Sequence, residues 1–135
     1  MITSISIGAK PFKTKADACN TVFGCNYKKE LQRGCFIPAE LRKNCGDKYH
    51  AWFPHLDTVV DPGWINKLNT NGTVITETLR NTAEVQKVYN KGKNWTYVTF
   101  AKTDIGYEFM GVFKMVSMAG NTITFERKFT KFPYP

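Results

Sequence analysis

Apolar and polar positions alternate along much of this chain, and where the alternation breaks the spacing turns helical. Near the N-terminus Ile5 and Ile7 fall on one side and Ser4 and Ser6 on the other, the period of a first strand. Ala16, Cys19, Val22 and Phe23 then recur at helical spacing. Thr14 is placed to cap that helix, Asp17 sits near its positive end and Gly24 supplies a stop. Pro38 at a first helical position and Gly46 bracket a second, short helix. Residues 49–53 read as a strand cut off by Pro54.

The second half is more strongly patterned. Residues 61–68 predict a short helix or turn carrying Trp64, and Asn71-Gly72 marks a tight turn. Residues 73–78, mostly β-branched, form the next strand, and Thr82 caps a helix running through Tyr89, with Val85, Val88 and Tyr89 on one side and Gly92 as terminator. Three strands follow, at residues 95–101, 107–118 and 122–129, the last two joined around Ala119-Gly120-Asn121. In the last, Ile123, Phe125, Arg127 and Phe129 share a face. Gly111 inside a strand marks a bulge, a bend or a close approach. About six strands and three helices without regular βαβ alternation predict a single α+β domain over residues 1–135, built on a curved or closed sheet.

Charge narrows the partners. The formal net charge is +8, and the first fifty residues hold nine Lys and Arg against four acids. Aromatics reach 14%. A basic, aromatic-rich surface suits polyanions, nucleic acid above all. No stretch approaches the ~18 apolar residues of a membrane span, and the N-terminus lacks the pattern of a signal peptide, so the expected location is cytoplasmic, with no membrane partner.

Candidate chemistry changes the picture less. Cys19, Cys25, Cys35 and Cys45 lack the close pairs that bring two thiolates to one zinc ion, and His50 and His55 would face opposite sides of a strand. Four free thiols, with no metal site and no cofactor, are expected. No P-loop or Rossmann loop is present, nor H-E-x-x-H or G-x-S-x-G. Asp57 or Asp61 with Glu77 and Lys87 lacks the local grouping of a metal-dependent nuclease, and Glu126-Arg127-Lys128 matches it only in form. The sequence favours binding over catalysis.

Three segments carry a resemblance: WTYVTFAK at 95–102, YEFMGVFKM at 107–115 and TITFER at 122–127, preceded by GWINKLNTNGTVITE at 63–77. Over residues 61–129 the chain resembles proteins of bacterial restriction and defence, and through them the PUA-like barrel group that includes the SRA, EVE and ASCH modules. The resemblance implies a small, bent or closed, mostly antiparallel β-barrel with about three flanking helices. It also implies a concave aromatic pocket that holds a flipped or modified base, with basic residues at its mouth.

Trp64, Trp95, Tyr97 and Tyr107 are then the candidate stacking surfaces, alongside Trp52 and Phe109. Trp64 leads, because a large aromatic in a loop is hard to explain by packing. Asn66 is a candidate reader of a base edge, and Lys114, Arg127 and Lys128 are candidate phosphate contacts. Arg127 shares its face with Phe125 and Phe129, so its guanidinium must pair or stack. Lys28, Lys29, Arg33, Arg42 and Lys43 form a second basic region. The reading is a non-catalytic nucleic-acid-binding module. Two alternatives stand beside it: a protein-interaction module such as a phage or mobile-element inhibitor of host defence, and a small nuclease or nucleotide sensor.

Overall fold

Thr14 caps the first helix as its position predicts: its hydroxyl accepts from the Asp17 N–H at 3.0 Å, and Gly24 ends the helix in the left-handed region at φ 73°. The computed structural model describes residues 2–56, 59–60 and 64–133. Three helices, α1 (Lys15–Phe23), α2 (Ala39–Cys45) and α3 (Thr82–Gly92), accompany ten strands among these residues. The strands are β1 (Ile5–Ser6), β2 (Cys35–Phe36), β3 (Tyr49–Trp52), β4 (Val59–Val60), β5 (Trp64–Leu68), β6 (Val74–Thr78), β7 (Thr96–Thr103), β8 (Gly106–Ala119), β9 (Thr122–Phe129) and β10 (Lys131–Phe132). None of the described helices is long and apolar enough to cross a membrane.

Eight strands form one sheet in the order β2-β3-β7-β8-β9-β6-β5-β4, and β1 pairs with β10 apart from it. Every pairing is antiparallel except β3 with β7, which run parallel with His50 opposite Tyr97. Among the described residues the ladder has two free ends, β2 and β4, so the sheet is bent and does not close into a barrel there. Single-residue bridges from His55 to Lys102 and from Leu56 to Asn66 carry the segment after β3 toward strands on both sides of the bend.

The bend originates in β8. Its first half pairs with β7 and its second with β9, and the register shifts where the two ladders meet, at Val112 and Phe113. Gly111 sits there with φ 115°, and a Cβ on it would meet Arg127 Cδ at 2.5 Å and the Phe129 carbonyl oxygen at 2.7 Å. Only glycine allows that backbone and that approach.

Both faces of the sheet are buried. One core gathers Phe23 of α1, Phe53, Val98, Phe100, Val112 and Phe132. The other gathers Trp52, Ile75, Val85 of α3, Tyr97, Phe113 and Phe125. Successive residues of β7 therefore enter opposite cores, and the run from Thr96 to Ala101 is buried throughout instead of alternating with solvent.

Several elements differ from their sequence reading. Trp64 opens strand β5 instead of a helix or loop, because β5 is one arm of the hairpin turned at Asn71-Gly72. Asn69 stabilises that turn, its Oδ1 accepting from the N–H groups of Thr73 (2.8 Å) and Val74 (3.0 Å). The cap of α3 is Asn81, whose side chain accepts from the Glu84 N–H at 2.9 Å, and Gly92 lies within the helix rather than after it. Strand β1 is confined to Ile5–Ser6, with Ile7 exposed. Asp57 and Asp61 lie outside the described residues.

Candidate nucleic-acid interface

A two-lobed cleft opens where β2, β3 and β7 face the β5–β6 hairpin. One lobe encloses about 230 Å³ and the other about 440 Å³. Cys35, Trp52, Trp64 and Glu77 border both, so the two lobes adjoin across these side chains. Its size matches the few hundred Å³ of ordinary small-ligand sites.

Aromatic rings form its walls. The His50 imidazole lies flat on the Trp95 indole, centroids 3.8 Å apart and planes 19° from parallel. Trp52 stacks on Phe125 at 4.4 Å and meets the edge of Tyr97 at 5.5 Å. The parallel pairing of β3 with β7 causes this assembly, since it sets His50 and Trp52 beside Trp95 and Tyr97. Val88 and Lys91 of α3 and Arg33 of the loop before β2 complete the first lobe. Neither Arg33 nor Lys91 forms an ion pair among the described residues.

Polar groups line the floor. Asn66 and Glu77 are cross-strand partners in the β5–β6 hairpin, exposed by only 3% and 4%. The Asn66 amide faces the Glu77 carboxyl across the ladder and favours its charged form. Burial drives that carboxyl up to about 7, against the partly offsetting Asn66 amide. Burial, reinforced by the Glu77 charge, pushes the Cys35 thiol up to about 12, and burial holds His50 below its ordinary value. Near neutral pH Cys35 is therefore a thiol and His50 is uncharged.

Four buried side-chain polar atoms lack a hydrogen-bond partner among the described residues. Three of them, His50 Nδ1, Trp64 Nε1 and Asn66 Oδ1, belong to residues lining this cleft. Buried polar atoms are nearly always satisfied by protein or by water, so these cleft-lining residues hold hydrogen-bonding capacity that the fold itself does not use.

The fold brings four of the eight sequence candidates together. Trp64, Trp95 and Tyr97 line the first lobe and Asn66 the second. Lys114 lies behind the wall, its Nζ donating to the Trp95 carbonyl oxygen (3.3 Å) and to Thr96 Oγ1 (3.2 Å). Tyr107 is buried in the other core, against Phe53 and beneath the Lys102 ammonium. Arg127 Nη1 donates to the Gly72 carbonyl oxygen at 3.2 Å, outside the cleft lining, and exposed Lys128 pairs with Glu126.

Sequence reasoning passed over Glu77, His50, Cys35 and Lys91 as lining groups. One signal was available for Glu77. Asn66 and Glu77 are equidistant from Asn71-Gly72, so the hairpin turn alone places them opposite each other. No comparable local signal marks the others.

Comparison with known proteins agrees with this fold. The structure of the 5-hydroxymethylcytosine-specific restriction enzyme AbaSI is similar over 95% of this chain, at 25% sequence identity and a TM-score of 0.73. The chain spans 41% of the length of that enzyme's chain. No curated protein matches the sequence. A family model, SET and RING associated domain, matches residues 4–134, so the likeness read over 61–129 extends through the first sixty residues as well. With that match across nearly its whole length, the chain belongs to the SRA (SET and RING associated) domain family.

Proposed function

We propose that this domain binds DNA and receives a modified cytosine, turned out of the duplex, in the cleft between the His50–Trp95 stack and the β5–β6 hairpin. The observation that carries the reading is the convergence of three unpartnered buried polar atoms, on His50, Trp64 and Asn66, inside an aromatic-walled concavity. An extruded base needs a ring to stack on and groups that read its edge. Trp95, Trp52 and Tyr97 offer rings, while Trp64 Nε1 offers a donor and Asn66 Oδ1 an acceptor. Gln32, His55 and Asn66 around the larger lobe leave polar space for a substituent on the base. The specificity named for AbaSI supports a hydroxymethylated cytosine as the first candidate. Arg33 and Lys91, free of acidic partners among the described residues, are placed to meet the flanking phosphates.

Fluorescence anisotropy tests this with duplexes that contain 5-hydroxymethylcytosine, 5-methylcytosine or cytosine at one position, at two salt concentrations. The modified duplex should bind more tightly than the unmodified one, and Asn66→Ala should remove the difference. Absence of binding to any of the duplexes at low salt overturns the reading, and a preference that survives Asn66→Ala removes this cleft from it.

A further inference from the structure

Two lysines converge on His55, which borders the larger lobe, and neither has an acid paired to it among the described residues. Lys15 of α1 is only 9% exposed, and lysine is seldom buried so far without a partner. Its Nζ donates to the Leu31 carbonyl oxygen at 3.5 Å, a long bond to the residue before lobe-lining Gln32. Lys102 of β7 is half-buried, with its ammonium over the Tyr107 ring and donating to the Thr103 carbonyl oxygen at 3.4 Å. Its backbone N–H donates to the carbonyl oxygen of lobe-lining Pro54 at 2.8 Å, and its backbone bridges to His55. Burial, then the Lys15 and Lys102 charges, hold the His55 imidazole below its ordinary value.

The acid packed against α1 does not balance this charge. The Glu30 carboxylate is engaged by three backbone N–H groups, those of Lys15 (3.3 Å), Ala16 (3.2 Å) and Leu31 (3.1 Å). Like charges withdrawn from water without a counter-charge are costly, and an anion entering between them offsets that cost. We propose that Lys15, His55 and Lys102 form an anion site that takes one backbone phosphate of the strand delivering the base. The site belongs to the larger lobe, apart from Arg33 and Lys91 at the smaller one. It rests on the base-reading function above and adds a grip on the strand.

The donor set suits that ligand. A phosphodiester brings negative charge and acceptor oxygens but no donor, and both ammonium groups are donors without an acceptor. Pro54 and His55 border the same lobe as Trp64 and Asn66, so an anion held here lies beside a base in the cleft. A base is covalently joined to its own strand, and a phosphate of that strand is the anion it brings with it. Phosphate contacts position the strand and carry no base identity, so the site sets affinity and not preference.

The test uses a duplex with one 5-hydroxymethylcytosine beside its unmodified counterpart. Lys15→Met with Lys102→Met keeps both apolar stems and removes both charges. The double variant should bind either duplex about tenfold more weakly or worse, with the ratio between the two duplexes unchanged. The slope of log Kd against log salt should become shallower by about one, and the thermal midpoint of the free protein should not fall. Unchanged affinities overturn the site, and a lowered midpoint beside them makes the lysines structural. A single neutral methylphosphonate, moved along the strand on either side of the modified base, tests the ligand itself. At one position it should weaken the wild type about tenfold and have no further effect on the double variant. Equal effects in both proteins, or none, overturn the strand phosphate even where the variant is less stable. Inorganic phosphate is the other arm, read on the imidazole resonances of His55, one of two histidines and identified by its loss in His55→Gln. A shift with the duplex that the methylphosphonate removes supports the strand phosphate. A shift with inorganic phosphate and none with the duplex makes this a free-phosphate site and overturns the proposal. If neither duplex binds at low salt, base reading itself fails.

Discussion

The Tyr97 hydroxyl donates to the Gly92 carbonyl oxygen at 3.0 Å, fastening the last turn of α3 to the strand that walls the cleft. A Cβ on Gly92 would run into that hydroxyl and into the end of Met115. Gly92→Ala gains about 1 kcal/mol of helix propensity but overpacks this contact, which costs about 1–3 kcal/mol. The expected outcome is a lower thermal midpoint together with weaker binding of modified DNA. Raised stability with unchanged binding would show that α3 and Tyr97 move independently.

The Glu77 contribution to stability should fall, not rise, as pH climbs toward neutrality. Between about pH 4.5 and 7 the folded protein keeps a proton on Glu77 that the unfolded chain has released, so rising pH favours unfolding across that window and has no further effect above it. The full effect is at most about 3 kcal/mol. Urea denaturation at pH 5 and pH 8 measures it as the part of the difference that disappears in Glu77→Gln.

Two aromatic substitutions should separate function from packing. Trp95→Ala removes a ring of the cleft wall, and loss of one base-stacking surface costs about 1–3 kcal/mol of binding. Tyr107→Ala instead empties a site in the opposite core, with a stability loss of about 3 kcal/mol and no change in the preference for a modified base. Anisotropy and thermal melting on both proteins check the contrast. A Tyr107 variant that loses the preference while still folded would place that residue in the site.

Arg127 joins strand β9 to the hairpin that carries the polar floor, through its bond to the Gly72 carbonyl and the lie of its stem over Gly111. Arg127→Met keeps the stem and loses the bond, so about 1 kcal/mol of stability should go. If the guanidinium also meets phosphate, the salt dependence of DNA binding should become shallower by about one counterion. Binding titrations from 50 to 300 mM salt distinguish a positioning arginine from a phosphate contact.

The parts of the fold that showed in the sequence are those set by neighbours along the chain. Thr14 and Gly24 bound α1, Ala119-Gly120-Asn121 turns β8 into β9, and Gly111 marks the bend, each through a local conformational demand. Trp64 was misplaced because Pro62-Gly63 before it reads as a turn, while its strand is fixed by partners beyond Asn71-Gly72. The continuous burial of β7 has two cores as its cause, and a single strand does not announce how many faces are covered. The cleft was half legible. Aromatics and Asn66 stood out by type, whereas His50, Cys35 and Lys91 acquire a role only once β3 lies parallel to β7 and α3 packs over them.

That parallel pairing also has a kinetic consequence. His50 and Tyr97 meet only after the chain between them, including the β5–β6 hairpin and α3, has been gathered into a closed loop. The hairpins can form early from local contacts, while this register must wait for closure of a long segment. The stacked wall and the polar floor therefore meet late in folding. Species that still hold the β8–β9 hairpin but have released β3 would retain much of the sheet and have no recognition site at all.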